Sequence, residues 1–537
     1  MITKAKYIIC AVCVICGFAS CSDWDDHYEN LASQAGSDMT LWQTMQQNPD
    51  LSDFCEVLSQ TKVFKNHKVT DVSYAALLDG AQTFTVLAPV NGSFKKDSIF
   101  KLLETAQGDS MVVRSFIGNH LSYNQVANIE KPTDFFLLNN KRATIGNNLA
   151  LNVPLKASNI RAKGGILHVL EKTLPYRHNI YEILLNDERY NKIGEQLSSY
   201  DKDEFNPSLS VEGGMVDGEL VYVDSVITER NIMLERIGKL ADEDSSYMVV
   251  LPTNDEWQRV WDEAMSHFRY DNTVIGADSL QRYWANYSLL NDAIFSRTIQ
   301  ASPEDSLVTY AYDRHYPQYH VFHNPFSESG ILSKDNTTTQ EYSNGTLYTA
   351  KKWPFTPEMT YKREIKTEGE RTSKILANTL CSYNTRINTV DSISVSENEY
   401  LVITPSNMNA NWTMTFNVEN TLATNYDVCA IVLPPTIYNP KAELKSCRIQ
   451  AEIIYVDEKG AEKIEKINTN LENDPTRVDT LVIKENFSFP VCNYDQNNSK
   501  IKVKLKCNIL AGNKKYSREM FLDCIYLRPR KNMNTEQ

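Results

Sequence analysis

The chain of 537 residues lacks the features of several large protein classes. It has no basic block, and 68 acidic residues against 55 Lys and Arg give a net charge of −13. Nucleic-acid binding needs clustered basic side chains, so we expect no nucleic-acid partner. With 20 glycines, 19 prolines and 42% hydrophobic residues, the composition is neither low-complexity nor that of a largely disordered chain.

Common catalytic and metal motifs are also missing. The sequence has no G-x-S-x-G elbow, H-E-x-x-H pair, P-loop or G-x-G-x-x-G fingerprint. Its densest histidine group is His315, His320 and His323, in a Tyr- and Pro-rich segment where His320 and His323 would face opposite sides. We therefore expect no catalytic residue, cofactor or metal. A hydrolase with two facing carboxylates is the alternative that one sequence leaves open.

Cysteine is scarce outside the two ends of the chain. Of 11 cysteines, three lie in the first 20 residues, and no C-x-x-C pair follows Cys21. The seven cysteines beyond Cys21 are either buried free thiols or disulfide partners, and the sequence does not choose between these alternatives. They are Cys55, Cys381, Cys429, Cys447, Cys492, Cys507 and Cys524.

The first twenty residues have the pattern of a secretion signal. Lys4 and Lys6 precede the apolar run 7–18, which is too short to cross a bilayer as a helix but fits a secretory core. The small residues before Cys21 resemble the lipobox of bacterial lipoproteins, with Phe18 where leucine is commonest. We predict that residues 1–20 are removed and that Cys21 carries the lipid. Ordinary signal cleavage nearby is the alternative.

An acidic linker, residues 21–34, follows the predicted lipidation site, with Ser22, Asp23, Asp25 and Asp26 directly after Cys21. These residues resemble the signal by which Bacteroidota lipoproteins reach the outer face of the outer membrane. A generic solvated linker is the alternative. The resemblance implies an outer membrane protein, anchored by its N-terminal palmitate and facing the cell exterior. An acidic chain does not adhere to anionic lipid, so the acyl groups would supply the attachment.

Residues 84–94 form a strand-and-turn motif. The apolar strand begins at Phe84 and is stopped by Pro89, which cannot donate a hydrogen bond to a neighbouring strand. Asn91 is placed to cap a following helix, and Phe94 falls on the inner face of that helix.

Residues 158–171 read as a strand, a Gly-Gly turn and a second strand. His168 lies between apolar residues of the second strand, which favours a hydrogen-bonded core histidine. Together with the preceding motif, this segment resembles the two signatures of the fasciclin (FAS1) domain, with Val90 and Gly164 as departures. The resemblance implies a FAS1 domain over residues 35–177.

A second, more divergent copy follows. Residues 247–257 repeat the first signature, and residues 342–348 resemble the second, with Gly345 in the turn and Tyr348 in the place of the histidine. We predict a FAS1-like domain over residues 178–358. Its first-signature positions are Leu251, Pro252, Thr253 and Asn254.

The last third of the chain changes character. From Trp412 to Val418 apolar and polar residues alternate, and Ile501, Val503 and Leu505 alternate with lysines. Such strands without a convincing helix predict an antiparallel β-sandwich over residues 375–537. The expected fold class is therefore multidomain α+β, with two FAS1-like domains followed by a C-terminal β-sandwich.

These expectations lead to a function hypothesis. FAS1 domains are adhesion and ligand-binding modules, so the resemblance implies a surface lipoprotein that binds a glycan or another extracellular polymer. Such lipoproteins resemble accessory components of nutrient-uptake systems, whose partners are a TonB-dependent transporter and its lid lipoprotein. The alternative is a structural protein–protein interaction subunit of such an assembly. The Tyr-His pair of animal FAS1 proteins corresponds here to Asn119-His120, so its integrin-binding role does not carry over.

Overall fold

A computed structural model gives the structure of most of the chain. The predicted signal 1–20, the lipidation site Cys21 and the acidic residues Ser22, Asp23, Asp25 and Asp26 lie outside the described residues. In the part that the structure describes, no helix combines the length and the apolar character needed to cross a membrane. The structure describes residues 38–65, 68–127, 129–216, 219–224, 226–300, 302–312, 318–496 and 499–530.

The helices of the described ranges are mostly short. The α-helices are α1 (Leu41–Gln46), α2 (Ser52–Gln60), α3 (Tyr74–Asp79), α4 (Lys96–Leu102), α5 (Ala106–Val112), α6 (Ile180–Asn186), α7 (Asn191–Ser198), α8 (Leu234–Ile237), α9 (Asn254–His267) and α10 (Ala277–Leu290). A π-helical turn, Val113–Ile117, continues α5. Short 3₁₀ turns lie at Pro49–Leu51, Pro207–Leu209, Arg297–Ile299, Thr372–Lys374, Ser396–Asn398 and Pro435–Ile437.

Strands outnumber helices, so the fold is multidomain, α+β and rich in β-sheet. The strands of the first half are β1 (Lys62–Lys65), β2 (Lys68–Ser73), β3 (Phe84–Pro89), β4 (Leu121–Ser122), β5 (Thr133–Phe136), β6 (Arg142–Gly146), β7 (Leu149–Ala150), β8 (Val153–Ala162), β9 (Gly165–Leu170), β10 (Asp201–Phe205), β11 (Val211–Val216), β12 (Glu219–Asp224), β13 (Ile227–Asn231), β14 (Tyr247–Pro252) and β15 (Ile294–Ser296).

The second half adds shorter connecting strands and then long ones. They are β16 (Ser306–Val308), β17 (Val321–His323), β18 (Thr337–Tyr342), β19 (Gly345–Ala350), β20 (Ile365–Glu368), β21 (Ile375–Thr379), β22 (Cys381–Ile387), β23 (Glu399–Pro405), β24 (Thr413–Asn417), β25 (Asn425–Val432), β26 (Arg448–Val456), β27 (Glu462–Glu472), β28 (Asp479–Ser488), β29 (Lys502–Cys507) and β30 (Met520–Pro529).

The chain divides into two compact units. The first runs to Asn179 and includes Asp203–Arg230, and the second contains Ile180–Lys202 and the chain from Asn231 onward.

The first unit is built around a seven-stranded sheet in the order β4-β3-β9-β8-β7-β6-β5. Its central pair, β3 and β9, is parallel, with Phe84 opposite Gly165. Phe84 and Val86 enter the core formed with α1–α3, whereas Leu87 enters a second core beneath β5–β8. A central strand covered on both faces favours a nearly continuous apolar run, as in β3. Its one polar side chain, the buried Thr85 hydroxyl, donates to the Asn124 carbonyl at 2.6 Å.

The second unit repeats this arrangement. Its four-stranded sheet has the order β15-β14-β19-β18, and β14 pairs in parallel with β19. Tyr247 lies opposite Gly345 as Phe84 lies opposite Gly165, and the same register places Tyr348 where β9 has His168. The two units therefore contain one strand arrangement twice.

Two antiparallel sheets follow in the same unit. One has the order β22-β23-β30-β25-β28 with β20 also paired to β30, and the other has the order β21-β24-β29-β26-β27. Leu401 and Ile403 of the first sheet and Met414 and Phe416 of the second belong to one hydrophobic core. Trp412 is fully buried there, and its indole Nε1 donates to the Arg518 carbonyl at 2.7 Å.

The sandwich and the FAS1-like segment 178–358 share this core, so the two predicted domains form one compact unit. The loop after α9 carries several of the polar contacts between them. The Tyr270 hydroxyl donates to the Tyr494 carbonyl at 2.9 Å, and the Lys500 ammonium lies 2.6 Å from the buried Asp271 carboxylate. Lone charges are costly to bury, so this ion pair requires the two parts to dock in one register.

Candidate functional site

The asparagine of the first FAS1-like signature is a structural residue. Asn91 Oδ1 accepts from the Asp53 backbone N–H at 2.9 Å, and its amide nitrogen donates to the Pro49 carbonyl at 2.8 Å. Our expectation that Asn91 caps a following helix is wrong, because the next helix begins only at Lys96. A turn separates the two, and the side chain reaches back to the first turn of α2 instead.

Asn254 has the equivalent position and the equivalent task in the second unit. Its Oδ1 accepts from the Lys192 backbone N–H at 3.1 Å, and its amide nitrogen donates to the Glu188 carbonyl at 2.7 Å. It thus provides an acceptor for a backbone N–H in the first turn of α7. Thr253, which precedes α9, makes no side-chain cap hydrogen bond. Both signature asparagines therefore tie a helix to the central strand pair.

The remaining signature positions lie in or beside the cores. Phe94 is half-buried, with its ring 4.9 Å from the Phe116 ring. Gly345 has a left-handed φ of 148° at the start of β19. The fully enclosed signature residues are Phe84, Pro89, His168, Leu251 and Pro252.

The two buried histidines of the first unit are held in the neutral form. His120 Nδ1 lies 2.7 Å from the Phe116 carbonyl, and its Nε2 accepts from the Leu174 backbone N–H at 3.0 Å. His168 is bonded likewise, with Nε2 2.9 Å from the Val126 carbonyl. Burial lowers the pKa of His120 to about 4 and lowers the pKa of His168. The hydrogen-bond partners of the two imidazoles in the described residues are backbone groups and the Thr173 hydroxyl.

The histidine group of the second unit does not converge. His320 is buried and pairs with the Asp292 carboxylate, with Arg363 Nη2 2.8 Å from its Nδ1. His323 is exposed on β17, and His315 lies outside the described residues. The two described histidines therefore diverge, as the extended segment predicts.

All seven described cysteines are free thiols. Burial raises the pKa of Cys55, Cys429 and Cys507 to about 11, so their thiols stay protonated at neutral pH. Protonated, enclosed thiols are poor nucleophiles and serve here as small apolar side chains. Of the two alternatives that the sequence left open, the structure has the free thiols.

Two cavities on the sandwich flank the segment Leu433–Ala442. We call them the paired cavities. The first has a volume of about 310 Å³, with Tyr516 and Glu519 in its wall, and the second has a volume of about 420 Å³, with Thr436 and Arg477. These volumes lie at the lower end of the range for small-ligand sites.

The paired cavities combine aromatic rings with polar groups. Tyr516 and Phe521 line the first cavity, and the 49% exposed ring of Tyr438, which lines neither cavity, stacks on Phe521 at 5.7 Å. The Tyr516 hydroxyl donates to the Glu472 carboxylate at 2.8 Å, which fixes the ring. Burial raises the pKa of the half-buried Glu519 carboxyl. Rings with fixed orientation and convergent polar groups suit a ligand with both apolar faces and hydroxyls.

The sequence did not indicate Tyr438, Tyr516 and Glu519, because they lie far apart in the chain. Tyr438 lies between β25 and β26, and Tyr516 and Glu519 lie between β29 and β30. They come together because β25 and β30 are neighbours in the sheet, which one sequence does not reveal.

A second group of polar side chains lies where β20 meets β30. Glu368, Asp523 and Cys524 are buried, and their potential ligand atoms all lie within 4.8 Å of one another. Glu370 is nearby and half-buried. Burial, followed by the repulsion of neighbouring carboxylates, raises the pKa of Glu370 to about 7 and that of Asp523 to about 6.

Comparison with known proteins finds no matching family model and no matching curated protein. Among solved structures, a FAS1 domain pair from the insect cell adhesion molecule fasciclin I is 10% identical at a TM-score of 0.19, covering 52% of this chain and 90% of that chain. The CBM22-1–GH10 modules of a Clostridium thermocellum endo-1,4-β-D-xylanase, complexed with xylohexaose, are 10% identical at a TM-score of 0.22.

That xylanase alignment covers 32% of this chain and only 29% of the xylanase chain. A xylan-binding CBM22 domain is 12% identical at a TM-score of 0.20, covering 32% of this chain and 97% of that domain. TM-scores near 0.2 are too low for any of these likenesses to carry an inference about this chain.

Proposed function

We propose that this protein is a lipid-anchored, surface-exposed binding protein that captures a glycan or another extracellular polymer through its sandwich. The anchor and the outward orientation rest on Cys21 and the acidic residues after it. As an accessory to uptake, the protein would work beside a TonB-dependent transporter and its lid lipoprotein. Tethering would then raise the local concentration of polymer near that transporter. We propose no enzymatic activity.

The paired cavities are the observation that carries the glycan proposal. Tyr516 and Glu519 in one wall and Ser392 and Thr476 in the other offer a ring, a carboxylate and hydroxyls. Two cavities either side of one segment suit a repeating ligand better than a single compact one. The mixture of polar and apolar lining supports a sugar polymer over a purely apolar ligand.

Calorimetry of the chain from Ser22 onward against host and dietary polysaccharides tests this proposal. We expect one polymer class to bind, and Tyr516→Ala to weaken its binding by about tenfold, the loss of one stacking ring and its hydrogen bond. Glu519→Gln should weaken binding less, because the amide keeps an acceptor. The matched control is Tyr123→Ala, which removes a tyrosine that is 59% exposed in the first unit and should leave affinity unchanged.

Two outcomes would contradict the glycan proposal. Binding to no polysaccharide, together with co-purification of membrane-protein partners, would favour the structural-subunit alternative. Product release from the same panel would instead indicate a hydrolase. Surface exposure has a separate test, because protease added to whole cells should remove a protein that faces the exterior.

A further inference from the structure

One end of the sandwich carries three loops with exposed apolar residues. Leu380 forms the turn between β21 and β22, Met408 lies between β23 and β24, and Leu510 lies between β29 and β30. These residues are 56%, 88% and 75% exposed. We call the segments 380, 406–412 and 508–516 the tip loops. A single exposed apolar residue is ordinary, but three in adjoining loops form a patch that needs an explanation.

Hydrogen bonds join the tip loops to one another. The Ser406 backbone N–H donates to the Leu380 carbonyl at 2.9 Å. The Gly512 backbone N–H donates to the Asn409 side-chain oxygen at 3.0 Å. Each partner in these bonds lies within two positions of one of the three exposed apolar residues, or is one of them. The three residues therefore share one end of the sandwich.

The backbone of the tip loops is held in place. Arg518 is buried, and its guanidinium Nη2 donates to the Ile509 carbonyl at 2.8 Å and to the Leu510 carbonyl at 3.0 Å. Leu380 has a left-handed φ of 56°, which is costly for a bulky side chain. A bulky residue kept in a strained conformation at an exposed turn favours a functional explanation over a stabilising one.

The charge of the tip loops is opposite to that of the whole chain. They contain Lys514 and Lys515, both exposed, and no acidic residue. Beside them, the Glu472 carboxylate pairs with Arg448 at 3.6 Å, and Glu519 is half-buried. A chain with a net charge of −13 therefore has a positive local charge here. Salt limits the reach of exposed charges to about 8 Å, so a partner at the tips meets these lysines rather than the net charge.

This composition fits a lipid surface better than a protein or a sugar. Protein interfaces are enriched in aromatic side chains and arginine and depleted in lysine. A sugar ligand needs rings and convergent polar groups, which the paired cavities offer and the exposed apolar residues of the tips do not. Apolar side chains flanked by lysines are the pattern of segments that enter the headgroup region of an anionic membrane.

We propose that the tip loops dock onto an anionic lipid surface. Leu380, Met408 and Leu510 enter the headgroup region, and Lys514 and Lys515 lie beside the lipid phosphates. Burial of apolar area and attraction of the lysines both contribute, so small contributions add over the patch. This docking is separate from the predicted lipid on Cys21. It would hold the sandwich at the membrane surface instead of letting it project away.

Co-sedimentation of the chain from Ser22 onward with vesicles tests the proposal, because this chain lacks the lipidation site. The probes are vesicles of phosphatidylcholine alone and of an equimolar mixture with phosphatidylglycerol. We expect binding to the mixed vesicles that salt weakens, and binding to phosphatidylcholine that is weaker by about tenfold or more. Binding to neither kind of vesicle, or equally to both, would overturn the proposal and leave the glycan proposal untouched.

Substitutions in the tip loops locate the contact. Met408→Asp should weaken binding to the mixed vesicles by about tenfold or more, because a charge replaces an apolar group that docking buries. Lys514→Gln combined with Lys515→Gln should weaken it by about tenfold. The matched control is Ile275→Asp, since Ile275 is 96% exposed between α9 and α10 and lies outside the tip loops. Equal losses in Ile275→Asp and Met408→Asp would contradict a defined docking surface.

Leu380→Asn distinguishes docking from a structural role. Asparagine adopts a left-handed φ at a lower cost than leucine, so this variant should melt no lower than the wild type. It should nevertheless weaken vesicle binding by about fivefold or more. A variant that melts lower and binds vesicles normally would contradict the docking role of Leu380. Tip variants that lose a membrane-protein partner but bind vesicles like the wild type would assign the patch to a protein and overturn the proposal.

Discussion

Gly165→Ala is expected to destabilise the first unit by about 4 kcal/mol or more, the range of severe steric disruptions in a packed core. Gly165 opens β9 with a left-handed φ of 140°, and a Cβ atom there would lie 1.8 Å from the Phe84 carbonyl oxygen. That oxygen belongs to the backbone of β3, which pairs in parallel with β9, so a shift of it would disturb the pairing. Hydrogen exchange measured by mass spectrometry on peptides from β3 and β9 would show the loss.

A substitution at a second glycine distinguishes the steric clash of the added Cβ atom from the backbone strain of a left-handed φ. Gly92 also has a left-handed φ, of 74°, but a Cβ atom there would meet nothing within 4 Å. Gly92→Ala should therefore cost only about 1 kcal/mol of conformational strain. Equal losses for Gly92→Ala and Gly165→Ala would contradict the steric explanation.

The same steric argument applies to Gly345 in the second unit. A Cβ atom on Gly345 would lie 2.2 Å from the Tyr247 carbonyl oxygen, at the equivalent register. Gly345→Ala should therefore speed exchange in β14 and β19 while leaving β3 and β9 protected. Faster exchange confined to the unit that carries the substitution would show that the glycine has the same structural role in both strand arrangements.

The repeat was readable from sequence because its signals are local. An apolar run ended by proline marks β3 and β14, and a glycine turn marks the start of β9 and β19. The sandwich strands were readable for a similar reason, since alternation with lysine in β29 reports one buried and one charged face. Both kinds of signal depend on residues within one element.

The unpredicted features depend on pairs of residues far apart in the chain. The Asn91 side chain accepts a hydrogen bond from α2, a helix that ends 31 positions before it. A local capping rule therefore assigned Asn91 to the wrong helix. Asp271 and Lys500 are 229 positions apart, and their ion pair joins two segments that the sequence presents as separate domains. Strand order decides these contacts, and composition and periodicity carry no information about strand order.

The buried group where β20 meets β30 illustrates the same limit. Glu368 lies in an ordinary polar segment of the sequence, and Asp523 looks like one polar residue in an apolar strand. Only the antiparallel pairing of β20 with β30 brings Glu368 beside Asp523 and Cys524.

Acidification from pH 7 to pH 5 is expected to cost the first unit about 2 kcal/mol through His120 alone. The ordinary pKa of 6.5 applies to the unfolded chain, and burial lowers the pKa of His120 to about 4 in the folded unit. Between these values the unfolded chain binds a proton that the folded unit does not. The stabilisation is therefore complete above pH 6.5 and is lost as the pH falls toward 4, and His168 adds to it in the same direction.

Burial is the main reason why His120 resists protonation, and the hydrogen bond that Nε2 accepts acts in the same direction. Its Nδ1 faces the Phe116 carbonyl, which can only accept, so Nδ1 carries the hydrogen. Its Nε2 faces the Leu174 N–H, which can only donate, so Nε2 is the acceptor. A proton on Nε2 would oppose the Leu174 N–H in a buried site, where the Thr173 hydroxyl, 3.2 Å from Nε2, is the acceptor within reach. Hydrogen exchange of β3 and β9 as a function of pH measures the effect. His120→Gln should flatten the dependence between pH 5 and pH 7, and an equally steep loss in that variant would assign it to other groups.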